Sequence, residues 1–376
     1  MNDEFIPAHG GQLRELAAEF GVPETSLLDF SASVDPRPPS DQLIAALCAA
    51  LRARTILTAY PDMHSVALKK AIAAYVQVGV DALSIHSGVM PLLGAALSAL
   101  RSHRCLVPMP AFAEYRKVLN AGGVECCPFF STEDTGFLLE VAPLADRVKE
   151  SGAQILLLAN PQSPSGRLMR NEELLRLHEA VSALGATIIV DEAFIDYAPE
   201  NSVARWAAKL PGLIVLRSLT KFFAMPGLRV AYAVSCPRMR AAMESCIPAW
   251  PVGSIAAEAA RMALQDQRSI ARTLANNATE RSWLAEQLHA LGLRVFPGAA
   301  NYLLIRVNES RKGLEFWRRL IVEHGIVLRS CANFEGLDQQ YLRIGVRTRS
   351  QNELLVRALS EVLHPAPRGL VSQNQE

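Results

Sequence analysis

The sequence predicts an α/β protein with a large domain built on a mainly parallel sheet and a second, smaller α+β domain. Three observations predict this architecture. Between residues 83 and 234, short apolar runs alternate with amphipathic stretches, the pattern of repeated βα units. After residue 234 the pattern changes to long helical stretches followed by further short strands. The length of 376 residues exceeds what one small core needs and suits two domains.

The large domain is predicted from apolar runs that alternate with helical patterns. The predicted strands are residues 104–107, 124–128, 154–159, 186–190, 213–217 and 229–234. The predicted helices are residues 89–100, 113–121, 141–151 and 171–184, the last with acidic residues in its first turn. This alternation predicts a parallel sheet covered by helices on both faces.

The two ends of the chain predict the second domain. Helical patterns at 237–247 and 253–291 precede strands at 293–296, 302–307 and 341–346 and helices near 314–324 and 351–363. At the other end, the sequence predicts an N-terminal arm, which contains an amphipathic segment, 12–20, and a proline-rich extended stretch, 35–39. The predicted division is an arm of residues 1–40 belonging to the small domain, a large domain 41–250, a small domain 251–365 and a frayed tail 366–376.

Composition excludes several classes of partner. The 38 Lys and Arg residues nearly balance 37 Asp and Glu, a net charge of +1 that offers no basic surface for nucleic acid or an acidic membrane. No apolar stretch approaches the ~20 residues of a membrane span, and the acidic N-terminus does not read as a secretory signal, so we expect a cytoplasmic protein. The seven cysteines are an odd number without CxxC spacing, and we expect buried free thiols.

The segment from Ser218 to Arg229 carries the most specific chemistry. Lys221 follows an apolar strand pattern, with Ser218 and Thr220 just before it and Arg229 eight residues after it. Hydroxyl groups and a guanidinium that converge near one amine form a phosphate site. An amine beside a bound phosphate suggests a Schiff base with a phosphorylated aldehyde, which is the chemistry of pyridoxal phosphate. The alternative is an ordinary surface lysine.

This hypothesis requires an acid that keeps the pyridine nitrogen of the cofactor protonated. Asp191 ends the strand pattern 186–190, thirty residues before Lys221. The end of a parallel strand lies at the sheet edge where ligands of open α/β sheets bind. A loop acid or a helix N-cap is the alternative for Asp191 taken alone.

Several motifs resemble those of fold-type I pyridoxal-phosphate enzymes of the class I/II aminotransferase group, over nearly the whole chain. Residues 160–166, Asn-Pro-Gln-Ser-Pro-Ser-Gly, resemble the group's Asn-Pro-Asn-Asn-Pro-Thr-Gly loop. The segment Ser218 to Lys221 with Arg229 resembles its cofactor-lysine signature, and residues 341–344 resemble the strand that bears its carboxylate-binding arginine. The resemblance implies a homodimer with active sites built from both subunits.

The resemblance also implies roles for individual residues. Lys221 is expected to form the Schiff base and to move protons, and Asp191 to pair with the pyridinium nitrogen. The residues expected to hold the cofactor phosphate are Ser218, Thr220, Arg229 and, through backbone N–H groups, Gly88, Val89 and Met90. Phe112 is expected to stack on the cofactor ring, and Tyr60 to reach the cofactor phosphate of the partner subunit.

Three further residues are expected to bind substrate. Arg343 is expected to bind the substrate carboxylate, and Arg329 and His9 are candidates for a substrate phosphate. Core, turn or terminal positions are the alternatives for Phe112, Tyr60 and His9.

Two cofactor-contacting positions depart from the family pattern. Ser163 stands in place of the asparagine that bonds the 3-hydroxyl of the cofactor, so this contact is expected to be lost or bridged by water. Phe194 stands in place of a tyrosine that donates to the same oxygen.

Finer motifs resemble one branch of this group. Residues 9–12 and 27–36 resemble the opening segments of threonine-phosphate decarboxylases of cobalamin biosynthesis. This resemblance implies decarboxylation of O-phospho-L-threonine. A histidinol-phosphate type aminotransferase is the second hypothesis, and a non-catalytic protein that binds pyridoxal phosphate is the third.

Overall fold

The computed structural model describes residues 5–308 and 313–364. The predicted tail 366–376 and the first four residues of the predicted arm lie outside this range. The strands are β1 (Leu28–Asp29), β2 (Leu83–His86), β3 (Arg104–Met109), β4 (Glu125–Phe130), β5 (Ile155–Ala159), β6 (Thr187–Asp191), β7 (Leu213–Ser218), β8 (Ala231–Ser235), β9 (Arg294–Phe296), β10 (Tyr302–Arg306), β11 (Ile326–Val327), β12 (Arg329–Ser330) and β13 (Tyr341–Gly345).

The helices cover both faces of the larger sheet and one face of the smaller sheet. They are α1 (Leu13–Phe20), α2 (Asp41–Ala53), α3 (Thr55–Thr58), α4 (Val66–Val76), α5 (Val89–Leu100), α6 (Glu114–Ala121), α7 (Val141–Ser151), α8 (Asn171–Ser182), α9 (Ala204–Ala207), α10 (Pro237–Glu244), α11 (Ser254–Gln265), α12 (Gln267–Ala290), α13 (Gly313–His324) and α14 (Arg349–Leu363). In the described ranges, no helix is both long and apolar enough to cross a bilayer.

The larger sheet has seven strands in the order β2-β8-β7-β6-β5-β3-β4. Strands β7, β6, β5, β3 and β4 pair in parallel, and β8 pairs antiparallel with both β7 and β2. The predicted α/β class with a mainly parallel sheet is therefore confirmed. Its parallel strands are almost continuously apolar because helices cover both faces.

The second sheet is antiparallel, with four strands in the order β12-β13-β10-β9. The N-terminal arm joins this region, since β1 pairs in parallel with β11 and the side chains of Leu16 and Phe30 enter its core. Helices α12, α13 and α14 and strands β9, β10, β11 and β13 also contribute side chains to that core.

The contacts of α11 bear on the predicted domain boundary at residue 250. Ala256, Ala259, Ala260 and Ala263 of α11 belong to the core of the large sheet, together with α4. We therefore propose that the large domain continues through α11 and that the boundary lies at the start of α12.

Two sequence expectations are corrected. The helical pattern 253–291 is not continuous, because Asp266 separates α11 from α12 and its side chain caps α12 by accepting a hydrogen bond of 2.9 Å from the N–H of Ser269. All seven cysteines are free, but only Cys105 and Cys331 are buried, while Cys48 and Cys246 are exposed. Sequence neighbours alone do not show which face of a helix or strand a cysteine occupies.

Candidate active site

A cavity of about 460 Å³ lies at the carboxyl ends of the parallel strands. Ala159, Asp191 and Ser218, the last residues of β5, β6 and β7, line its floor. Arg329 and Arg343 of the small sheet line its opposite wall. The cavity therefore lies where open α/β sheets bind their ligands, with the small domain closing one side.

The structure brings together at this cavity every predicted site residue except Tyr60. These residues are His9, Gly88, Val89, Met90, Phe112, Ser163, Asp191, Phe194, Ser218, Thr220, Lys221, Arg229, Arg329 and Arg343. Tyr60 lies outside; its side chain is 81% exposed and stacks on Trp250 with ring centroids 4.7 Å apart.

Lys221 lies in the loop that follows β7. Burial lowers the pKa of its amine to about 8, and the positive charges of Arg343 and Arg229 add to this effect, while Asp191 opposes it. An amine with this pKa is partly neutral near physiological pH. It can therefore act as a nucleophile and also carry a proton.

Asp191 is held by two hydrogen bonds at the end of β6. Its Oδ1 accepts from the N–H of Ala193 at 2.9 Å, and its Oδ2 accepts from the hydroxyl of Tyr115 at 2.6 Å. Burial raises the pKa of Asp191, and the hydrogen bond from Tyr115 is the strongest influence in the other direction. Sequence reasoning missed Tyr115; the available signal was its position one helical turn after Phe112.

The start of α5 and the loop after β7 form a cradle of donors. Gly88 is the N-cap of α5 with φ of 137°, and a Cβ at this position would lie 3.4 Å from Nη2 of Arg229. The hydroxyl oxygens of Ser218 and Thr220 lie 2.7 Å apart. Free N–H groups of a first helical turn, two hydroxyl groups and one guanidinium form a donor set suited to a phosphate.

The aromatic side chains form the apolar part of the cavity. The ring of Phe112 makes edge contact with that of Tyr115 at 5.8 Å between centroids, and Phe194 makes the same kind of contact with Tyr302 at 5.0 Å. A flat ligand ring can therefore meet apolar faces while its polar edge meets Asp191.

Arg343 contacts both domains. Its Nη1 donates to the hydroxyl of Ser163 at 3.0 Å, and its Nη2 donates to the carbonyl oxygen of Ser31 at 3.2 Å. The sequence predicts that Ser163 loses its contact to the cofactor or makes it through water; in this structure its hydroxyl accepts a hydrogen bond from the guanidinium. Ser31 was not among the predicted site residues.

Arg329 and His9 hold the N-terminal segment at the cavity wall. Nη2 of Arg329 donates to the carbonyl oxygen of Ala8 at 2.8 Å and to Oδ1 of Asn333 at 2.7 Å. Nε2 of His9 lies 3.0 Å from Oε1 of Glu114. Burial lowers the pKa of Arg329 to about 10, so the guanidinium remains charged at neutral pH. Asn333 and Glu114 were also missed by sequence reasoning.

Comparison with known proteins adds the family to this geometry. The model of the family described as aminotransferase class I and II matches residues 27–359. The chain belongs to this family. Threonine-phosphate decarboxylase of Salmonella typhimurium is 35% identical over 96% of this chain and 97% of its own length.

Solved structures of similar fold cover most of the chain. Histidinol-phosphate aminotransferase from Clostridium acetobutylicum is 27% identical with a TM-score of 0.82, covering 90% of this chain and 99% of that one. The enzyme of that name from Sinorhizobium meliloti, in complex with pyridoxal-5'-phosphate, is 20% identical with a TM-score of 0.81, covering 96% and 98%. The predicted fold-type I architecture is thereby confirmed.

The chain is thus a pyridoxal-phosphate-dependent enzyme of the class I and II aminotransferase family, and its cofactor is pyridoxal 5'-phosphate. The site fits this group. Lys221 supplies a buried amine, Asp191 an acid, and the start of α5 with Arg229 a phosphate cradle in which Gly88 adopts a positive φ that side chains disfavour.

Proposed function

We propose that the protein decarboxylates O-phospho-L-threonine to (R)-1-aminopropan-2-yl phosphate, the side-chain precursor used in cobalamin biosynthesis. The observation that carries the proposal is the pairing of Arg329 with Arg343 directly across β12 and β13. Like charges directly opposite each other in a sheet are destabilising. Two such guanidinium groups at one cavity wall are explained by a substrate that brings two anionic groups.

The substrate's own chemistry matches these two cations. Phosphothreonine carries a carboxylate and a phosphate on a short carbon skeleton, and guanidinium binds both groups in a bidentate manner. Histidinol phosphate has a phosphate but no carboxylate, and it adds an imidazole ring. The similarity to a threonine-phosphate decarboxylase over nearly the whole length supports the first substrate.

We further propose how the cofactor is held. Lys221 would bind its aldehyde carbon, Asp191 its ring nitrogen and Phe112 its ring face. Its phosphate would be bound by Ser218, Thr220, Arg229 and the backbone N–H groups of Gly88, Val89 and Met90. Bound in this way, the cofactor supplies a protonated ring that accepts the electron pair of the bond broken at the α-carbon.

The side chains of the protein would carry out the remaining tasks. Arg343 binds the carboxylate and orients the bond to it, and Arg329 with His9 binds the substrate phosphate. Asp191 keeps the proton on the ring nitrogen while carbon dioxide leaves. Lys221, with a pKa of about 8, then delivers a proton to the α-carbon. The segment Ala8 to Gly10 lines the cavity and would limit the entry of water.

We also propose a homodimer in which Tyr60 contributes to the partner's cofactor site. Its high exposure at the edge of a region with further exposed apolar side chains supports this proposal. These side chains are Leu57, Met63, Val66 and Trp250.

A histidinol-phosphate type aminotransferase is the second candidate. The structural similarity to such an enzyme, with a TM-score of 0.82, favours it. In this reaction the same residues would hold the cofactor, and Lys221 would remove the α-hydrogen instead of replacing the lost carboxylate.

The reaction itself tests the proposal. Protein loaded with cofactor is incubated with O-phospho-L-threonine, and carbon dioxide and the phosphorylated amine are measured; we expect equal amounts of both, with no stimulation by 2-oxoglutarate.

Arg329→Gln should raise KM for phosphothreonine at least tenfold. Arg104→Gln, at an exposed ion pair with Glu125, is the matched control. Turnover of histidinol phosphate that depends on 2-oxoglutarate, without carbon dioxide release from phosphothreonine, would favour the second candidate.

A further inference from the structure

Tyr115 contacts the proposed partner of the ring nitrogen at the base of the cavity. Its hydroxyl lies 2.6 Å from Oδ2 of Asp191, and both side chains are buried, with exposures of 2% and 6%. Tyr115 lies in the first turn of α6, and Asp191 ends β6, 76 residues later. This contact therefore exists only because the fold brings the first turn of α6 to the end of a central strand.

The direction of this hydrogen bond follows from the acidities of the two groups. Burial raises the pKa of Tyr115 well above its ordinary value, and the neighbouring Asp191 raises it further. The phenol therefore keeps its proton and donates a hydrogen bond to the carboxylate. A charge-assisted hydrogen bond of this kind is stronger than one between neutral groups.

The hydrogen bond affects both the charge and the orientation of Asp191. A buried carboxylate without partners tends to take up a proton, and a neutral acid no longer stabilises a protonated ring nitrogen. The N–H of Ala193 holds Oδ1 while Tyr115 holds Oδ2, so rotation of the carboxylate is restricted at both oxygens. Among the described residues, the charged or titratable groups that interact with Asp191 are Tyr115, Lys221 and Tyr302.

The predicted ring-stacking residue, Phe112, lies just before α6, and its carbonyl oxygen accepts a hydrogen bond of 3.0 Å from the N–H of Tyr115. The rings of Phe112 and Tyr115 are nearly perpendicular, at 89°, with centroids 5.8 Å apart. Tyr115 thus packs against Phe112 with its ring and bonds Asp191 with its hydroxyl. Tyr115 therefore contacts both the residue proposed to stack on the cofactor ring, Phe112, and the residue proposed to bind the ring nitrogen, Asp191.

We propose that Tyr115 is a positioning residue that keeps Asp191 ionised and oriented toward the ring nitrogen of the cofactor. This inference rests on the assigned cofactor and on the proposed role of Asp191, and it does not depend on which substrate the enzyme uses.

The test removes only the hydroxyl. In Tyr115→Phe, the dissociation constant of pyridoxal 5'-phosphate should rise about tenfold, as expected for the loss of a hydrogen bond to a charged group. The pH at which the bound cofactor changes its absorption spectrum should rise by about one unit. The reason is that the ring nitrogen is then protonated less, and a ring with less positive charge opposes a positive charge on the nitrogen of Lys221 less strongly. The kcat should fall, with KM for substrate nearly unchanged. Both cofactor readouts are made without substrate, so they remain decisive even if phosphothreonine is not the substrate.

Two comparisons make this test specific. Tyr232→Phe is the matched control, since Tyr232 is fully buried and its hydroxyl has no hydrogen-bond partner among the described residues; it should leave both cofactor readouts unchanged. In an Asp191→Asn background, adding Tyr115→Phe should cause no further spectral shift, because Tyr115 acts through Asp191. Unchanged readouts in Tyr115→Phe, equal shifts in the control, or a full shift in the Asp191→Asn background would each overturn the proposal.

A second substitution covers the case in which Tyr115→Phe does not fold. Replacing Tyr115 by 4-aminophenylalanine keeps an N–H donor in the same place. The measurement is again the pH at which the spectrum of the bound cofactor changes. A value closer to that of the unmodified enzyme supports the proposal, and a value closer to that of Asp191→Asn overturns it.

Discussion

Ser163 and Arg343, 180 residues apart in the chain, are joined by a hydrogen bond of 3.0 Å from Nη1 of the guanidinium to the serine hydroxyl. This bond connects the loop after β5 in the large domain to β13 in the small domain. Arg343 is the residue proposed to bind the substrate carboxylate. The serine at position 163, where the family has asparagine, therefore has a local explanation, because its short hydroxyl side chain accepts a hydrogen bond from this guanidinium.

Removal of this hydroxyl should weaken substrate binding. In Ser163→Ala, the guanidinium of Arg343 loses one of the two acceptors that it has among the described residues, and a charge-assisted bond of this kind contributes about 1.5 kcal/mol. We expect KM for the substrate to rise about tenfold, with a smaller change in kcat. Ser33→Ala is the matched control, because Ser33 also lines the cavity and its hydroxyl has no hydrogen-bond partner in the described part of the chain. Equal changes in both variants would contradict this role of Ser163.

The lowered pKa of Lys221 predicts a pH dependence of stability in the apoprotein. The pKa is about 8 in the folded protein against an ordinary value of 10.5, so between these values the unfolded chain binds more protons than the folded one. The contribution of Lys221 to the free energy of unfolding therefore rises as the pH increases from 8 to 10.5. Below pH 8 the buried charge destabilises the fold, and Lys221→Met should be more stable than the unmodified apoprotein at pH 7.

Urea unfolding of both apoproteins at pH 7 and at pH 10.5 measures this difference. The stability advantage of Lys221→Met should shrink at the higher pH. Lys209→Met, at an exposed lysine, should show a difference that does not vary with pH. A constant advantage of Lys221→Met at both pH values would mean that apolar packing, and not the buried charge, accounts for it.

The proposed role of Tyr60 predicts complementation between two inactive or weakened variants. Tyr60→Ala retains Lys221, and Lys221→Ala retains Tyr60. If Tyr60 serves the cofactor site of the partner subunit, a mixed dimer contains one site with both residues intact. Activity should then rise after the two variants are mixed and exchanged, to about a quarter of the unmodified level when half of the dimers are mixed.

The controls for this prediction use the same variants separately. Each homodimer should remain weak or inactive at equal total concentration. If the mixed sample shows no more activity than the average of the two homodimers, the proposal that Tyr60 acts in the cofactor site of the partner subunit is wrong. Sedimentation velocity on the same samples establishes how much dimer is present.

A buried ion pair behind the site predicts a large loss of stability. Arg217 bonds Asp196 and lies 3.9 Å from a carboxylate oxygen of Glu192, and all three side chains are at most 4% exposed. Arg217→Met would leave two buried carboxylates without their cation, which costs about 3–5 kcal/mol. The free energy of unfolding in urea measures this loss. Arg104→Met, at the exposed pair with Glu125, should change it little, and a similar small change for Arg217→Met would refute the prediction.

Local sequence patterns predicted the elements that bear the reacting groups. The predicted strand 186–190 is β6, Thr187–Asp191, and the predicted helix 89–100 is α5, Val89–Leu100. The apolar run of β6 and the apolar residues of the twelve-residue α5 are features of neighbouring residues in the sequence. The short strands β1, β11 and β12 were not predicted, because two residues carry no periodic signal.

Partnerships inside the site were not predictable in the same way. The contacts of Tyr115 with Asp191 and of His9 with Glu114 join residues far apart in the chain. The direct opposition of Arg329 and Arg343 depends on the register of β12 against β13, and a shift of one residue would place one of the two guanidinium groups on the other face.

The sequence by itself determined the α/β class, the strand end that carries Asp191, the segment after a strand that carries Lys221, and the residue types suited to a phosphorylated aldehyde cofactor. Only the tertiary structure decided that Ser163 holds Arg343, that Tyr115 bonds Asp191 and that residues 8–10 of the N-terminal segment line the cavity. The physical reason is that apolar periodicity and strand ends are properties of local sequence, whereas hydrogen-bond partners depend on strand register and on the packing of two domains.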